Sequence, residues 1–149
     1  MIPNIRRAQP SDLEAVITLL QQLSLDEPRE DPRVRAAYET AFRAIEADPR
    51  QTLLVADDDG RIAGTAAVIV IPNLSHAGSP YAVVENVVVD AACRGRGYGE
   101  ALMRRAIELA REAGCYKLVL TSNRRRSDAH RFYERLGFTA SHHGFRMDL

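Results

Sequence analysis

Two hydrophobic periods run through the chain, and each change of period marks a new element. After a short extended stretch over residues 4–8, Leu13, Val16, Ile17, Leu20 and Leu23 recur at helical spacing. Ser11 and Glu14 stand before them at the separation of a capping box, which predicts the start of a first helix. Val34, Tyr38, Phe42 and Ile45 repeat the pattern, predicting a second helix from Pro32 to Ala47 behind a loop over residues 26–32. From Gln51 the pattern becomes strand-like. Residues 51–71 read as a hairpin whose Asp59-Gly60 pair supplies the positive φ of its turn. Residues 72–80 hold two prolines and a glycine and read as a loop. Residues 81–89 form a strand that is apolar on both faces apart from Glu85 and Asn86. An amphipathic helix follows over residues 100–113, stopped by Gly114, then a strand over residues 116–122. Strand, helix, strand implies a parallel pair. A capped helix over residues 127–136 ends at Gly137, and residues 138–143 and 145–149 read as closing strands. Antiparallel strands followed by one strand–helix–strand unit predict a mixed sheet with helices packed on it.

Composition narrows the class. At 149 residues the chain has the length of one domain with a real core. Its net charge is zero, so there is no basic field for nucleic acid, and it lacks a row of aromatic platforms. No run approaches a membrane span, and the first residues hold no apolar signal segment. No nucleic-acid or membrane partner is therefore expected. Cys93 and Cys115 make no disulfide framework and have no metal-ligand spacing, which fits reduced thiols in a cytoplasmic protein. The runs Asp57–Asp59 and Arg124–Arg126 read as solvated turns.

The chemistry concentrates between the strand and the helix that follows it, at Arg94, Gly95, Arg96, Gly97, Tyr98 and Gly99. A helix start exposes unpaired N–H groups that favour anions. Glycines let the backbone close on a bulky anion, and arginines add charge and forked donors. An anion cradle and a tight structural turn both satisfy this pattern. A Walker loop does not, because Glu100 follows Gly99 where Lys and Ser/Thr are required. A dinucleotide fingerprint fits poorly: the glycines are spaced G-x-G-x-G, and Tyr116-Lys117 occupy the place of the acidic residue.

The R-x-x-G-x-G pattern of Arg94, Gly97 and Gly99 resembles the coenzyme A pyrophosphate loop of the GNAT superfamily of N-acetyltransferases. The order of elements resembles that superfamily over essentially the whole chain, most strongly from Val84 to Phe138. The residues ENVVV and GCYK look like the glucosamine-phosphate N-acetyltransferases, whereas SDAHRFYERLGF and the later SHHGF look like the aminoalkylphosphonate N-acetyltransferases. The resemblance implies a mixed α/β (α+β) fold in residues 1–149 as a single acyl-CoA N-acyltransferase domain. That fold is a twisted mixed sheet of six or seven strands with about four helices and a central, splayed parallel strand pair. It also implies acetyl-CoA as co-substrate, direct transfer of the acetyl group to a small-molecule primary amine in a ternary complex, and a homodimer through the late strands. An aminophosphonate or an amino-sugar phosphate is the acceptor that the two subfamilies suggest.

Such a transfer needs an amine stripped of its proton, a polarised thioester carbonyl and a proton for the leaving thiolate. Glu85, a carboxylate in an apolar strand, is the candidate base; the alternative is a paired or solvated structural glutamate. Tyr133 matches the superfamily's acid, with a core tyrosine as the alternative. The resemblance places pyrophosphate on Arg94, Gly95, Arg96, Gly97, Tyr98, Gly99 and Glu100. It places pantetheine along Val87, Val88 and Val89, and makes Asn123 a further coenzyme ligand displaced by the longer loop that holds the three arginines. Tyr38, His76 and Asn86 are candidate acceptor contacts. Adjacent His142 and His143 point to opposite faces of a strand, so no metal site is expected. Two other readings compete: a coenzyme A-binding regulatory module without turnover, and a protein lysine or N-terminal acetyltransferase.

Overall fold

The computed structural model describes residues 3–23, 31 and 33–149. These fall into two compact units, Met1–Val119 and Leu120–Leu149.

The first unit is built on one sheet. β1 (Asn4–Arg7), β2 (Gln51–Asp58), β3 (Arg61–Ile71), β4 (Tyr81–Val89) and β5 (Leu118–Val119) lie side by side in chain order. The first four pair antiparallel, and β4 and β5 pair in parallel. α1 (Leu13–Gln21) and α2 (Arg35–Ala47) cover one face of the sheet, and α4 (Tyr98–Glu112) covers the other. α3 (Ser75–Gly78) is a single helical turn in the loop before β4.

The faces follow from the alternation along β2. Leu53 and Val55 join Leu13, Val16, Ile17 and Phe42 in the cluster under α1 and α2. Leu54 and Ala56 point the other way, toward Tyr98, Leu102, Met103, Ala106 and Ala110, the buried stripe of α4. Full burial of side chains such as Leu102 and Met103 contributes about 1.5–3 kcal/mol each. The helix approaches closely at Gly64, where a Cβ would meet Leu102 Cδ1 at 3.1 Å and the Val88 carbonyl oxygen at 3.0 Å. Thr65 is fully buried and satisfies its hydroxyl on the Leu54 carbonyl at 2.7 Å.

The hairpin turns at Asp59-Gly60, with φ of 49° and 91°, as its sequence requires. The first helix starts differently from the capping-box expectation. Pro10–Asp12 form a 3-10 turn, and Asp12 rather than Ser11 supplies the polar contact, its Oδ2 accepting the Gln9 N–H at 2.7 Å. Arg6 explains the choice: its guanidinium donates to both Asp12 oxygens, at 2.7 and 3.1 Å, and to Asp57 at 3.0 Å. The second helix is observed from Arg35. The loop over residues 26–32 lies outside the described residues apart from Asp31, and so does the helix start at Pro32.

Among the described residues the sheet has five strands where six or seven are expected, and there are five α-helices where about four are expected, the extra one being α3. β5 covers only Leu118–Val119 of the predicted residues 116–122. In the second unit, α5 (Ser127–Arg135) forms as predicted, but residues 138–143 and 145–149 are not strands. The alternating apolar residues that suggested the last strand do not lie on a sheet face. Phe145, Met147 and Leu149 are 97%, 83% and 116% exposed.

Candidate functional site

Strand β4 organises the site in the first unit. Its ladder with β5 holds only two rows, Ala82 with Leu118 and Val83 with Val119. From Val84 to Val89 the edge away from β3 has no ladder partner among the described residues. Such an edge offers backbone groups to an extended ligand.

The register against β3 slips in the same region. Thr65 faces Val88 and Ala67 faces Glu85, so Asn86 and Val87 both stand opposite Ala66. Asn86 carries a φ of 54°, in the left-handed region. This bulge decides where Glu85 and Asn86 point. Glu85 shares a sheet face with Ala67 and Leu53, the face of α1 and α2. Both Glu85 and Asn86 are exposed, and among the described residues no hydrogen bond or ion pair engages the Glu85 carboxylate. The paired structural glutamate is therefore not what is observed.

Beyond Val89 the chain turns into the glycine loop. Asp90 opens it by accepting the Ala92 N–H at 3.0 Å, and Ala91–Cys93 form a 3-10 turn. Gly95 and Gly97 have φ of 75° and 86°, a conformation costly for any residue with a Cβ. A Cβ at either would meet nothing within 4 Å, so the space above the loop is open. Gly97 is the N-cap of α4, and the first backbone bond of that helix runs from the Ala101 N–H to the Gly97 carbonyl at 3.0 Å. The four N–H groups from Gly97 to Glu100 find no protein acceptor among the described residues. Orphan amides at a helix start, bordered by Arg94 and Arg96, fit a pyrophosphate. Tyr98 is buried, 5% exposed, and anchors the helix start, and Arg96 lies 5.4 Å from its ring. Burial and the Asp58 carboxylate push the Tyr98 phenol up. Glu100 pairs with Arg104 on the helix surface, at 2.6 Å, leaving its N–H as its contribution to the loop.

The opposite end of β4 is lined by side chains. His76 stacks on Tyr116, with ring centroids 3.8 Å apart. The Lys117 ammonium stands 5.3 Å from the Tyr116 ring and 5.1 Å from the Tyr81 ring. Lys117 is the sole lysine of the chain, and no carboxylate pairs with it among the described residues. Tyr81 lies four residues before Glu85 on the same face of β4, about 13 Å along the strand. His76 and Ala77 hold left-handed backbone, with φ of 52° and 59°, inside a loop that Asn73 ties through Ser75 at 2.7 Å and the Ser79 carbonyl at 3.4 Å. Tyr38 is engaged elsewhere: its ring packs on the α1–α2 cluster and its hydroxyl accepts the Asp31 N–H at 2.8 Å.

Within the second unit, Tyr133 is 8% exposed and packs against Phe132 and Phe138, at centroid distances of 5.2 and 6.0 Å. Burial pushes its phenol up, and Arg126 pulls it partly back. Asn123 is occupied within its own turn. Its Oδ1 accepts the Arg125 N–H at 3.0 Å, and its carbonyl lies 2.8 Å from His130 Nε2.

Neither cysteine has the surroundings of a nucleophile. Cys93 is fully buried, and burial pushes the Cys115 thiol up. Among the described residues no group of three or more His, Cys, Asp or Glu is arranged to hold a metal. No described helix is long and apolar enough to cross a membrane.

Two features escaped sequence reasoning. Asp57 and Asp58 are not merely solvated: Asp57 holds Arg6 and the Gly60 N–H, and Asp58 pairs with Arg96 at 3.5 Å. Lys117 entered the sequence reading only as a mismatch to a dinucleotide fingerprint, and its contacts with the Tyr81 and Tyr116 rings join residues far apart in sequence.

The sequence pattern of the acetyltransferase (GNAT) family matches residues 16–138. A glucosamine 6-phosphate N-acetyltransferase of Oryza sativa subsp. japonica is 38% identical over 138 residues, covering 89% of this chain and 80% of that one. The enzyme of that name from Trypanosoma brucei brucei is 40% identical over 90 residues, 60% of this chain and 59% of that one. The aminoalkylphosphonate N-acetyltransferase of Salmonella typhimurium is 31% identical over 145 residues, covering 97% and 90%. A solved structure described as a transcriptional regulator from Bacillus halodurans C-125 superposes with a TM-score of 0.93 at 38% identity, over 99% of this chain and 100% of that one.

Proposed function

This chain belongs to the acetyltransferase (GNAT) family and is an N-acetyltransferase, and from that premise we propose that residues 1–149 act as one domain carrying acetyl from acetyl-CoA to a small primary amine bearing a phosphorus oxyanion. The observation that carries the cofactor half is the set of four unpaired N–H groups from Gly97 to Glu100 beside a free strand edge. Arg94, Gly95, Arg96 and those amides would hold the pyrophosphate. Val87, Val88 and Val89 would hold the extended arm, and Asn123 is a further coenzyme contact. Acetyl-CoA would bring an activated thioester to the strand edge.

The chain's own groups then have separate tasks. Glu85, exposed and without a partner among the described residues, takes a proton from the acceptor's ammonium through water, leaving a lone pair free to attack. A β4 N–H near Val87 donates to the carbonyl oxygen. As the nitrogen–carbon bond forms and the carbon–sulfur bond breaks, Tyr133 gives its proton to the thiolate, and the surplus proton on the new amide nitrogen leaves through water to restore the phenol.

The acceptor class rests on Lys117 and His76. Lys117 stands over Tyr81, which shares the sheet face of Glu85, His76 stacks on the neighbouring Tyr116, and among the described residues no carboxylate pairs with the Lys117 charge. Two of the relatives are named for amines that carry phosphate or phosphonate. Asn86 stands next to the base, and Tyr38 lies deeper on the same face. A homodimer in the cytoplasm completes the proposal, the exposed Phe145, Met147 and Leu149 being candidate contacts.

The test is a thiol-release assay with acetyl-CoA against aminoalkylphosphonates, hexosamine phosphates, neutral amines, polyamines and a lysine peptide. Turnover confined to the anionic amines supports the reading. Turnover of the peptide alone would move the protein to the lysine-acetylating class. Coenzyme A binding without release from any amine would favour the regulatory module.

A further inference from the structure

We propose that the tip of the β2–β3 hairpin sets the shape of the cofactor loop, with Asp58 and Arg61 as positioning residues for coenzyme A binding. The proposal rests on the cofactor reading above and assigns a task to two residues outside the loop itself.

Asp58 and Arg61 are register partners on either side of the turn. Each pairs with a charge on the loop, and the two ties reach its opposite ends. Arg61 Nη2 meets Asp90 Oδ2 at 2.9 Å, at the entry. Asp58 Oδ2 meets Arg96 Nη2 at 3.5 Å, just before α4 begins. The entry tie fixes a working carboxylate. Asp90 uses its other oxygen to accept the Ala92 N–H at 3.0 Å, and its own N–H donates to the Ala63 carbonyl at 2.8 Å. The exit tie holds Arg96 against the ring of buried Tyr98.

Gly95 lies between the ties and Gly97 directly after the second, both left-handed, with open space where a Cβ would sit. Neither has a side chain to pack, so past the buried Cys93 the loop is held in shape by the Arg96 tie, as its entry is by the Asp90 tie. Residues of this kind lose more conformational entropy on ordering than others. Ties that order the loop in advance lower the cost of binding an anion there. Both arginines are about half exposed, at 55% and 51% of side-chain surface, so each tie is weak as a source of global stability. Their loss is therefore read in ligand affinity.

The experiment is a calorimetric titration of coenzyme A into the full chain. Wild type, Asp58→Asn, Arg61→Gln and the double variant are compared with Asp58→Glu and Arg61→Lys, each with a thermal melt. Each neutral variant should weaken binding about three- to fivefold and the double variant about tenfold, with the melting temperature nearly unchanged. The charge-keeping variants should recover most of the affinity, which a packing role would not produce. Variants that bind as the wild type does would overturn the proposal alone. So would losses that track a fall in melting temperature and are not rescued by Glu or Lys. A wild type that binds no coenzyme A would overturn the cofactor reading, and this proposal with it.

Discussion

Past its last residue, β4 opens into unpaired backbone amides and two left-handed glycines; before its first, it is preceded by a loop in which His76 and Ala77 hold a similar backbone shape. At the cofactor end the strained conformation belongs to residues without side chains, and the groups on offer are N–H donors that any pyrophosphate would satisfy. At the acceptor end non-glycine residues adopt it, at a cost of order 1 kcal/mol each. The gain there is a side-chain arrangement, His76 on Tyr116 beside Lys117. On the proposed function, the backbone end would take the coenzyme part that the family shares, and the side-chain end the acceptor that differs between its members.

The sharpest way to break that contrast is to give the cofactor end a side chain. A Cβ at position 97 meets no atom within 4 Å, but Gly97→Leu must hold a φ of 86°. The strain should lower the melting temperature by roughly 3–8 °C. Coenzyme A affinity should fall by about 100-fold or more, because the side chain enters the space over amides that each contribute a charge-assisted bond. Unchanged affinity in calorimetry would remove the cradle.

Next come the two proposed proton carriers. Tyr133→Phe should reduce turnover about 100-fold while leaving coenzyme A affinity as it is. Glu85→Gln should cost about 100-fold at neutral pH and more at low pH, where the amine is hardest to deprotonate. A rate loss that is flat across pH would reject Glu85 as the base.

Lys117→Ala tests the acceptor end alone. KM for an anionic amine should rise about tenfold, as loss of one charge-assisted contact implies, and KM for a neutral amine should not move. Equal effects on both would make Lys117 a packing residue.

The smallest effect on catalysis is expected from Asp12→Asn, under the hairpin rather than at either end. Arg6 holds the Asp12 carboxyl below the usual carboxylate range, with the Gln9 N–H assisting. A depressed carboxyl stabilises the fold above its ordinary range and loses that contribution as pH falls through the folded value. The variant should therefore be destabilised by about 2 kcal/mol at pH 7 and progressively less below pH ~4 in denaturant titrations.

The same contrast explains what could be read before the fold was known. The proposed cofactor end is local: Arg94, Gly97 and Gly99 fall within six consecutive residues, and a strand running into a helix dictates where the loop's N–H groups point. The Asp59-Gly60 turn and the α4 stripe were legible for the same reason. Glu85 was recognisable as a carboxylate among valines, but its direction depended on a bulge that no periodic pattern announces. Asp12 displaced Ser11 as the polar contact of the first helix because Arg6 reaches it across the chain. Lys117, Tyr81, Tyr116 and His76 meet only through the β4–β5 pairing and the loop before β4. The closing strands failed because an alternating pattern states what a strand would bury, not whether a neighbouring strand is there to pair with it.

The most direct measurement is amide hydrogen exchange across residues 94–100 with and without acetyl-CoA. The account predicts fast exchange from Gly97 to Glu100 in the free protein, where those amides have no acceptor, and strong protection when acetyl-CoA is added. Saturating acetyl-CoA that leaves these amides unprotected, or protects a different segment, would contradict the claim that this backbone holds the cofactor.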